Sequence, residues 1–165
     1  MFSEFLLNNG RSARVEYELS RISDKHREVY KDTFKLIGRS KVRNGTNILL
    51  RLFSETPQYK DIWPQFRPIP DSSLMNSEVL RKHAHTYMGG LKRIIDSHDQ
   101  DKLEAELKRI AQSHVKWGIY KAHLMDMLPC LLAVLSQYTD LNDDIKDAWA
   151  TLFDVIANMI DIFRD

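Results

Sequence analysis

Cysteine is almost absent from this chain of 165 residues, in which Cys130 is the only one. A single thiol excludes an internal disulfide framework and any zinc site built on several cysteines. It also suits a reducing compartment, so we expect a cytoplasmic protein. Because Cys130 lies among Leu128, Leu131 and Leu132, we interpret it as a buried, inert side chain rather than a nucleophile.

An excess of one charge and long apolar runs are missing too. Lys and Arg total 24 against 23 Asp and Glu, a net charge of +1, so we expect no nucleic-acid partner. No window approaches the roughly 20 apolar residues that cross a bilayer, and the stretch at 1–10 is too short for a signal peptide and contains Glu4. We therefore expect no transmembrane segment. Apolar residues at 43% are enough for the core of one compact domain.

The sequence also lacks the familiar catalytic motifs. It contains no Gly-rich phosphate loop, nucleophile elbow, His-Glu-x-x-His pair or Asp-rich calcium loop. These absences lead us to predict that the protein is not an enzyme.

Helical periodicity dominates the chain from Ile22 onward, whereas residues 1–19 show no sustained period and read as an extension or loose arm. No segment alternates with period two for long enough to form a sheet. We predict an all-α domain of about seven helices, with a bend at Pro129. The predicted helices cover 24–38, about 42–55, a short one from Pro57, about 76–97, 101–113, about 117–138 and 142–163, and a loop at 63–70 carries Trp63 and Phe66.

Six histidines are the unusual feature of the composition. His26, His98 and His123 fall at polar-face or loop positions, where solvated side chains are expected. His85 shares a face with Lys82 and Lys92. The helical phase turns two histidines inward: His83 follows Leu80 by three residues, and His114 follows Ile110 by four.

Two inward histidines on separate helices have two explanations. They can be ordinary core side chains, which is the commoner fate of a lone histidine on an apolar face. Alternatively, they can face each other across a flat apolar slot, the arrangement that clamps a planar iron porphyrin in a helical protein. The side chains available for such a slot are Leu49, Leu52, Trp63, Phe66, Tyr87, Ile119 and Leu124.

From Ile22 to Phe163 the chain resembles the globins through the order and spacing of four runs. The runs are Gly45-(x)7-Phe53-(x)3-Pro57-(x)5-Trp63-Pro64-Gln65-Phe66, Leu80-(x)2-His83-Ala84-(x)2-Tyr87-Met88-(x)2-Leu91, Ile110-(x)3-His114-(x)3-Gly118-Ile119, and Asp144-(x)4-Trp149-(x)2-Leu152-Phe153. They are similar to the globin B-to-CD, E, proximal and final-helix segments. Overall, the sequence resembles invertebrate and nerve-tissue globins more than blood oxygen carriers.

The resemblance implies a three-over-three helical sandwich around haem b, without a D helix, in which residues 1–20 are an extension and 21–165 are the globin domain. It implies that His114 is the proximal iron ligand and that His83 is the distal residue. Cofactor contacts are expected from Leu49, Trp63, Phe66, Tyr87, Met88, Ile110, Ile119 and Leu124. Arg67, Lys82 and Lys116 are the candidates for the haem propionates.

Two departures from the family pattern bear on function. Trp63 stands where a haem-stacking Phe is usual. Tyr87 stands one turn after the distal histidine, where a small branched residue is usual, unless the helix register slips and brings Met88 over the iron. A tyrosine there would crowd the site of a diatomic gas without hindering ligation by His83.

Three functional hypotheses follow. The first is a six-coordinate globin, with both histidines on iron, acting in electron transfer or in redox or gas sensing with an unidentified redox partner. The second is a five-coordinate globin for O2 transport or storage, in which His83 only hydrogen-bonds a bound gas. The third is a haem-free helical interaction module. In the first two, any enzymatic chemistry would be incidental haem redox chemistry.

Overall fold

Eight α-helices and one 3-10 helix form the described part of the chain. The computed structural model describes the backbone of residues 2–164 and the side chains of residues 10–164. The helices are α1 (Phe2–Ser20), α2 (Asp24–Gly38), α3 (Lys41–Glu55), the 3-10 helix (Pro57–Ile62), α4 (Asp71–Leu74), α5 (Glu78–Ile95), α6 (Gln100–Lys116), α7 (Lys121–Leu135) and α8 (Asp143–Arg164). No strand occurs between residues 2 and 164, and the all-α prediction is confirmed.

Side-chain caps fix where the main helices begin. Ser23 Oγ accepts from the His26 amide at 3.0 Å, and His26 Nδ1 accepts from the Ser23 amide at 3.1 Å, which satisfies two backbone donors that a helix start leaves open. Asp99 caps α6 in the same way, through Lys102 N, and Asn142 caps α8 through Ile145 N. The predicted starts at Ser23 and Asn142 are therefore confirmed.

The helices stack in two layers of three. Helices α2, α5 and α6 form one layer and α3, α7 and α8 the other, and the most extensive contacts between layers join α3 to α5 and α6 to α8. At the centre, Trp149 of α8 is fully buried and its Nε1 donates to Thr33 Oγ1 of α2 at 2.8 Å. This arrangement confirms the predicted three-over-three fold.

The structure differs from the sequence-based expectation at three places. Residues predicted to be a loose arm form helix α1, whose Val15 and Leu19 are buried and which packs on α8 and α6. A single helical turn, α4, occupies the region where the D helix is predicted to be absent, because Leu74 turns into the core. Helix α7 begins at Lys121 rather than 117, since Gly118 adopts a positive φ of 70° in the preceding turn.

No single helix among the described residues is long and apolar enough to cross a membrane. Helices α6 and α7, which meet at a bend of 114°, satisfy the length and composition requirement only as a pair.

Candidate functional site

A cavity of about 420 Å³ lies between α5 and α6 and is closed by the 3-10 helix, α7 and α8. Its volume is in the range that small ligands and cofactors occupy. Most of its wall is apolar: Leu52, Ile62, Leu91, Ile94, Ile110, Ile119, Leu124, Met127, Leu131, Phe153 and Ile156. Both inward histidines, His83 and His114, line it.

His114 is oriented by the backbone of its own helix. Its Nδ1 lies 2.7 Å from the carbonyl oxygen of Ile110, one turn earlier. A carbonyl can only accept a hydrogen bond, so Nδ1 carries the proton and Nε2 keeps its lone pair. Burial lowers the pKa of His114, although the hydrogen bond to Ile110 works against this shift. The result is a neutral imidazole held in one tautomer, which is the form that binds a metal ion.

Three aromatic rings surround the imidazole of His83. The centroid of its imidazole lies 5.3 Å from that of Trp63, 5.6 Å from Phe66 and 6.1 Å from Tyr87. No hydrogen bond joins its ring nitrogens to another residue in the 10–164 region. Burial, together with the charge of a protonated His114, lowers the pKa of His83 to about 4. His83 is therefore neutral at physiological pH. One ring nitrogen carries a proton that can be donated, and the other keeps a lone pair that can bind a metal ion.

Tyr87 rather than Met88 faces the cavity. Tyr87 lines its wall, and the hydroxyl donates to the carbonyl oxygen of Gly45 on α3 at 2.8 Å. Met88 is fully buried on the α3 side of α5, where a side chain added at Gly45 would come within 2.7 Å of its Cγ. Tyr87 is thus fixed at both ends, and its ring narrows the space beside His83.

The structure divides the other predicted cofactor contacts into two groups. Trp63, Ile110, Ile119 and Leu124 line the cavity. Leu49, Phe66 and Met88 do not: all three are fully buried behind the wall. Phe66 still supports the site, because its ring packs edge-on against His83.

The charged edge of the cavity lies elsewhere than predicted. Arg67, Lys82 and Lys116 do not line the cavity, and Arg67 Nε instead donates to the carbonyl oxygen of Asp61 at 2.7 Å. The basic side chains that do line it are Arg93 of α5 and Arg109 of α6. Arg93 follows Gly90 by three residues, so its helical phase was a usable signal for this position.

His123 also lines the cavity, although the sequence analysis assigned its side chain to solvent. It is half-buried, its Nδ1 accepts from the Tyr120 amide at 2.8 Å, and its ring lies 4.8 Å from that of Tyr59. Both rings line the cavity. The capping interaction that turns His123 inward depends on the start of α7, which the sequence does not define.

These features define a class of protein: a helical sandwich with two neutral imidazoles, from different helices, in one apolar slot. That donor set and slot fit an iron porphyrin, because imidazole nitrogens are the usual axial ligands of haem iron in helical proteins. The model of the globin family matches residues 46–160. The chain belongs to the globin family.

The individual similarities agree with this assignment. The chain is 31% identical over 117 residues to a myoglobin from Heterodontus portusjacksoni, covering 69% of this chain and 77% of that protein. A myoglobin variant from Aplysia limacina has a similar structure, with a TM-score of 0.80 at 19% identity over 87% of this chain and 99% of that one. A hexa-coordinate haemoglobin from Drosophila melanogaster, studied for cyanide binding, has a TM-score of 0.74 at 23% identity over 84% of this chain and 92% of that one.

Proposed function

We propose that this globin holds haem b with both His114 and His83 bound to iron and acts in electron transfer or in redox or gas sensing in the cytoplasm. The observation that carries the proposal is that both imidazoles line one cavity and are neutral, while His83 has no hydrogen-bond partner among residues 10–164. When bound, haem supplies a one-electron redox couple and a coordination site for diatomic gases.

His114 is the stronger ligand of the two. Its hydrogen bond to Ile110 fixes the ring orientation and raises the basicity of Nε2. Ile110 and Ile119 also line the cavity, and their apolar side chains would exclude water around a bond between His114 and iron.

His83 and Tyr87 together disfavour an open gas site. The Tyr87 hydroxyl is engaged with Gly45, so the ring stays beside His83. Where a protein ligand competes for the same position, the apparent affinity for a gas falls by the open fraction. A site open about 1% of the time loses about a hundredfold. This competition favours redox work over storage of oxygen.

One observation favours a five-coordinate alternative. A His83 whose pKa is about 4 is neutral and can donate one ring N–H to a small polar ligand in the cavity, which is the distal role in an oxygen carrier. The similarity to a myoglobin supports the same reading. In this alternative the protein transports or stores O2.

The visible absorption spectrum of the ferrous, gas-free protein separates the hypotheses. Two imidazoles on iron give sharp, split visible bands, and one imidazole gives a single broad band. We expect split bands that collapse to one broad band in His83→Leu, with faster binding of carbon monoxide. His85→Leu, an exposed histidine two residues away, is the matched control and should leave the bands split.

The remaining outcomes are equally clear. A broad band in the unmodified protein would contradict the six-coordinate hypothesis and favour the five-coordinate alternative. His114→Ala should lose most of its haem, and a normal holoprotein from that variant would contradict the proximal role. If haem added to the purified chain keeps the broad absorption of free haem and gives no sharp, shifted Soret band, the haem-free module is the correct hypothesis.

A further inference from the structure

Two large aromatic side chains are exposed at the corner where α6 meets α7. Trp117 keeps 59% and Tyr120 keeps 53% of its exposure, and both lie in the turn between the two helices. The helices meet at a bend of 114°, so the turn forms a convex corner of the molecule. A single exposed aromatic ring is ordinary, whereas neighbouring rings with cations around them indicate an interaction surface.

The cations at this corner contact aromatic rings. The Arg164 guanidinium, in the last turn of α8, lies 3.9 Å from the centre of the Tyr120 ring. The adjacent Phe163 ring is approached from α6 by Lys108 Nζ at 5.8 Å and from α1 by the Arg11 guanidinium at 5.4 Å. These distances are within the range of cation–π attraction. The contacts therefore join side chains of α1, α6 and α8 to the turn in one continuous surface.

This surface, which we call the corner patch, also includes Lys116, the exposed residue before Trp117. Within the part of the chain that the structure describes, no ion pair joins any of its four cations to a carboxylate. The whole chain has a net charge of only +1, so these unpaired cations are a local feature. The members of the corner patch are Arg11, Lys108, Lys116, Trp117, Tyr120 and Arg164.

We propose that the corner patch binds the surface of an anionic phospholipid membrane, with Trp117 and Tyr120 at the level of the headgroups. Trp and Tyr favour this level because their rings are largely apolar and carry one polar group. The cations beside them are attracted by the negative surface potential of acidic lipids. The protein then lies on the membrane without crossing it. Neither His83 nor His114 belongs to the patch, so this inference goes beyond the proposed function and does not rest on it.

The shape and charge of the corner patch disfavour other occupants. In a symmetric dimer the same surface would face itself, which would bring its cations against their own copies. A peptide that binds in a groove would find none, because the turn is convex. A lipid surface needs no groove, since aromatic side chains enter between its headgroups, and it supplies the negative charge that the four cations lack.

Co-sedimentation of the full-length protein with lipid vesicles tests the proposal. Vesicles of phosphatidylcholine with about 30% phosphatidylserine should bind the protein, and vesicles of phosphatidylcholine alone should bind it at least about tenfold more weakly. Binding to the anionic vesicles should decrease as the salt concentration rises from about 0.05 to 0.5 M, because salt screens the attraction. Equal binding to both kinds of vesicle would overturn the proposal.

Substitution of the lysines locates the binding surface. Lys108→Gln and Lys116→Gln should each weaken binding to the anionic vesicles about three- to fivefold, and the double variant about tenfold or more. The matched control is the double variant Lys82→Gln with Lys102→Gln, which removes two exposed lysines outside the patch. It should change binding less than about twofold. Equal losses in the two double variants would contradict the assignment to the corner patch.

Substitution of the exposed tryptophan tests whether a ring enters the headgroup region. Trp117→Gln should weaken binding to the anionic vesicles about fivefold or more. Met75→Gln removes an apolar side chain with a similar exposure, 58%, outside the patch and should leave binding unchanged. If both variants bind as the unmodified protein does, the contact is purely electrostatic and the proposed position of the ring is wrong.

An acidic protein is the alternative partner, and immobilised poly-glutamate is the probe for it. If the protein ignores anionic vesicles, yet poly-glutamate retains it and the double variant Lys108→Gln with Lys116→Gln is retained less, the membrane assignment is wrong. The Soret band reports separately on the proposed function. A chain that binds anionic vesicles through the patch but takes up no haem would contradict the haem proposal and support this one.

Discussion

Gly45 sets how closely α3 approaches α5 beneath the site. A Cβ at this position would lie 2.7 Å from Met88 Cγ and 3.2 Å from Ala84 Cβ. Met88 and Ala84 are fully buried, so neither has free space to move into. We expect Gly45→Ala to lower the free energy of unfolding by about 1–3 kcal/mol, as overpacking does. Chemical denaturation of the two proteins measures the difference.

Gly10→Ala is the matched control for this substitution. A Cβ there meets nothing within 4 Å, and α1 should gain up to about 1 kcal/mol from the better helix former. A neutral Gly45→Ala would show that α3 and α5 separate easily.

Tyr59 provides a pH-dependent prediction at the cavity wall. Its hydroxyl donates to Asp126 Oδ2 at 2.5 Å, and this hydrogen bond, with some burial, raises the pKa of Tyr59 to about 12. The folded state favours the neutral phenol, so the stabilising contribution is complete below pH 10 and is lost as the pH rises from 10 to 12. An absorbance titration of tyrosinate formation should show one group ionising near pH 12.

The carboxylate of Asp126 is the main cause of the raised pKa of Tyr59, so removing it tests the explanation. Asp126→Asn should return the pKa of Tyr59 towards 10, whereas Asp140→Asn, another exposed aspartate, should leave the curve unchanged. Identical curves for all three proteins would mean that the hydrogen bond does not persist in solution.

Helical phase predicted the placement of the two inward histidines, but not of every predicted contact on a helix, since Leu49 and Lys82 do not line the cavity. His83 and His114 face the cavity as their helical phase requires, because period alone fixes direction within an uninterrupted helix. His123 was misassigned, since it caps α7 after a turn whose geometry depends on Gly118. Arg67 was expected at the cavity edge as a candidate for the haem propionates, but its Nε donates to the carbonyl oxygen of Asp61.

At the scale of elements, Asn44 joins the corner between α2 and α3 to the turn that follows α7. It is fully buried, its Nδ2 donates to the Ile37 carbonyl at 2.8 Å, and its Oδ1 accepts from the Tyr138 hydroxyl at 3.1 Å. Asn44→Ala leaves the Ile37 carbonyl unpaired in the core. We expect a loss of about 2–4 kcal/mol in unfolding free energy, measured by denaturation.

Two comparisons sharpen this prediction. Tyr138→Phe removes only one of the two hydrogen bonds and should cost about 1 kcal/mol. Asn47→Ala truncates a half-buried asparagine on the same helix and should cost less than Asn44→Ala. Equal effects from the two asparagines would contradict the role of Asn44 as a link between elements.

Element types were easier to predict than element ends. The long helices α2, α3, α5 and α8 follow from apolar period and from caps such as Ser23 and Asn142. Helix α1 escaped prediction because few of its side chains are buried: Val15, Glu18 and Leu19 are the buried ones among residues 10–20. Its register is set by packing against α8 and α6, which no local pattern reports.

At the scale of the whole molecule, α1 stabilises the fold. Glu18 Oε1 accepts from Asn158 Nδ2 of α8 at 2.9 Å, and Val15 and Leu19 bury apolar surface. Deleting residues 1–20 should lower the free energy of unfolding by about 3–5 kcal/mol, from the burial of two aliphatic side chains. The Soret and visible bands should not change, because none of residues 10–20, whose side chains the structure describes, lines the cavity.

The full-length variant with Val15→Ala and Leu19→Ala is the control for this deletion. It should reproduce part of the loss in stability and keep the spectrum. If the shortened chain folds but does not retain haem, the predicted boundary at residue 21 is wrong and α1 is part of the haem-binding unit.

Arg164 determines when, during synthesis, the chain becomes able to bind its cofactor. In the last turn of α8, its guanidinium donates to the Ile119 carbonyl and stacks 3.9 Å over the Tyr120 ring. It thereby steadies the turn that follows His114. During synthesis the ribosome delivers this residue after all the residues that line the cavity, and domains fold largely as complete units. A nascent chain that already contains both histidines would therefore still lack the contacts that hold the turn after His114. Cofactor binding would begin only once α8 has left the exit tunnel.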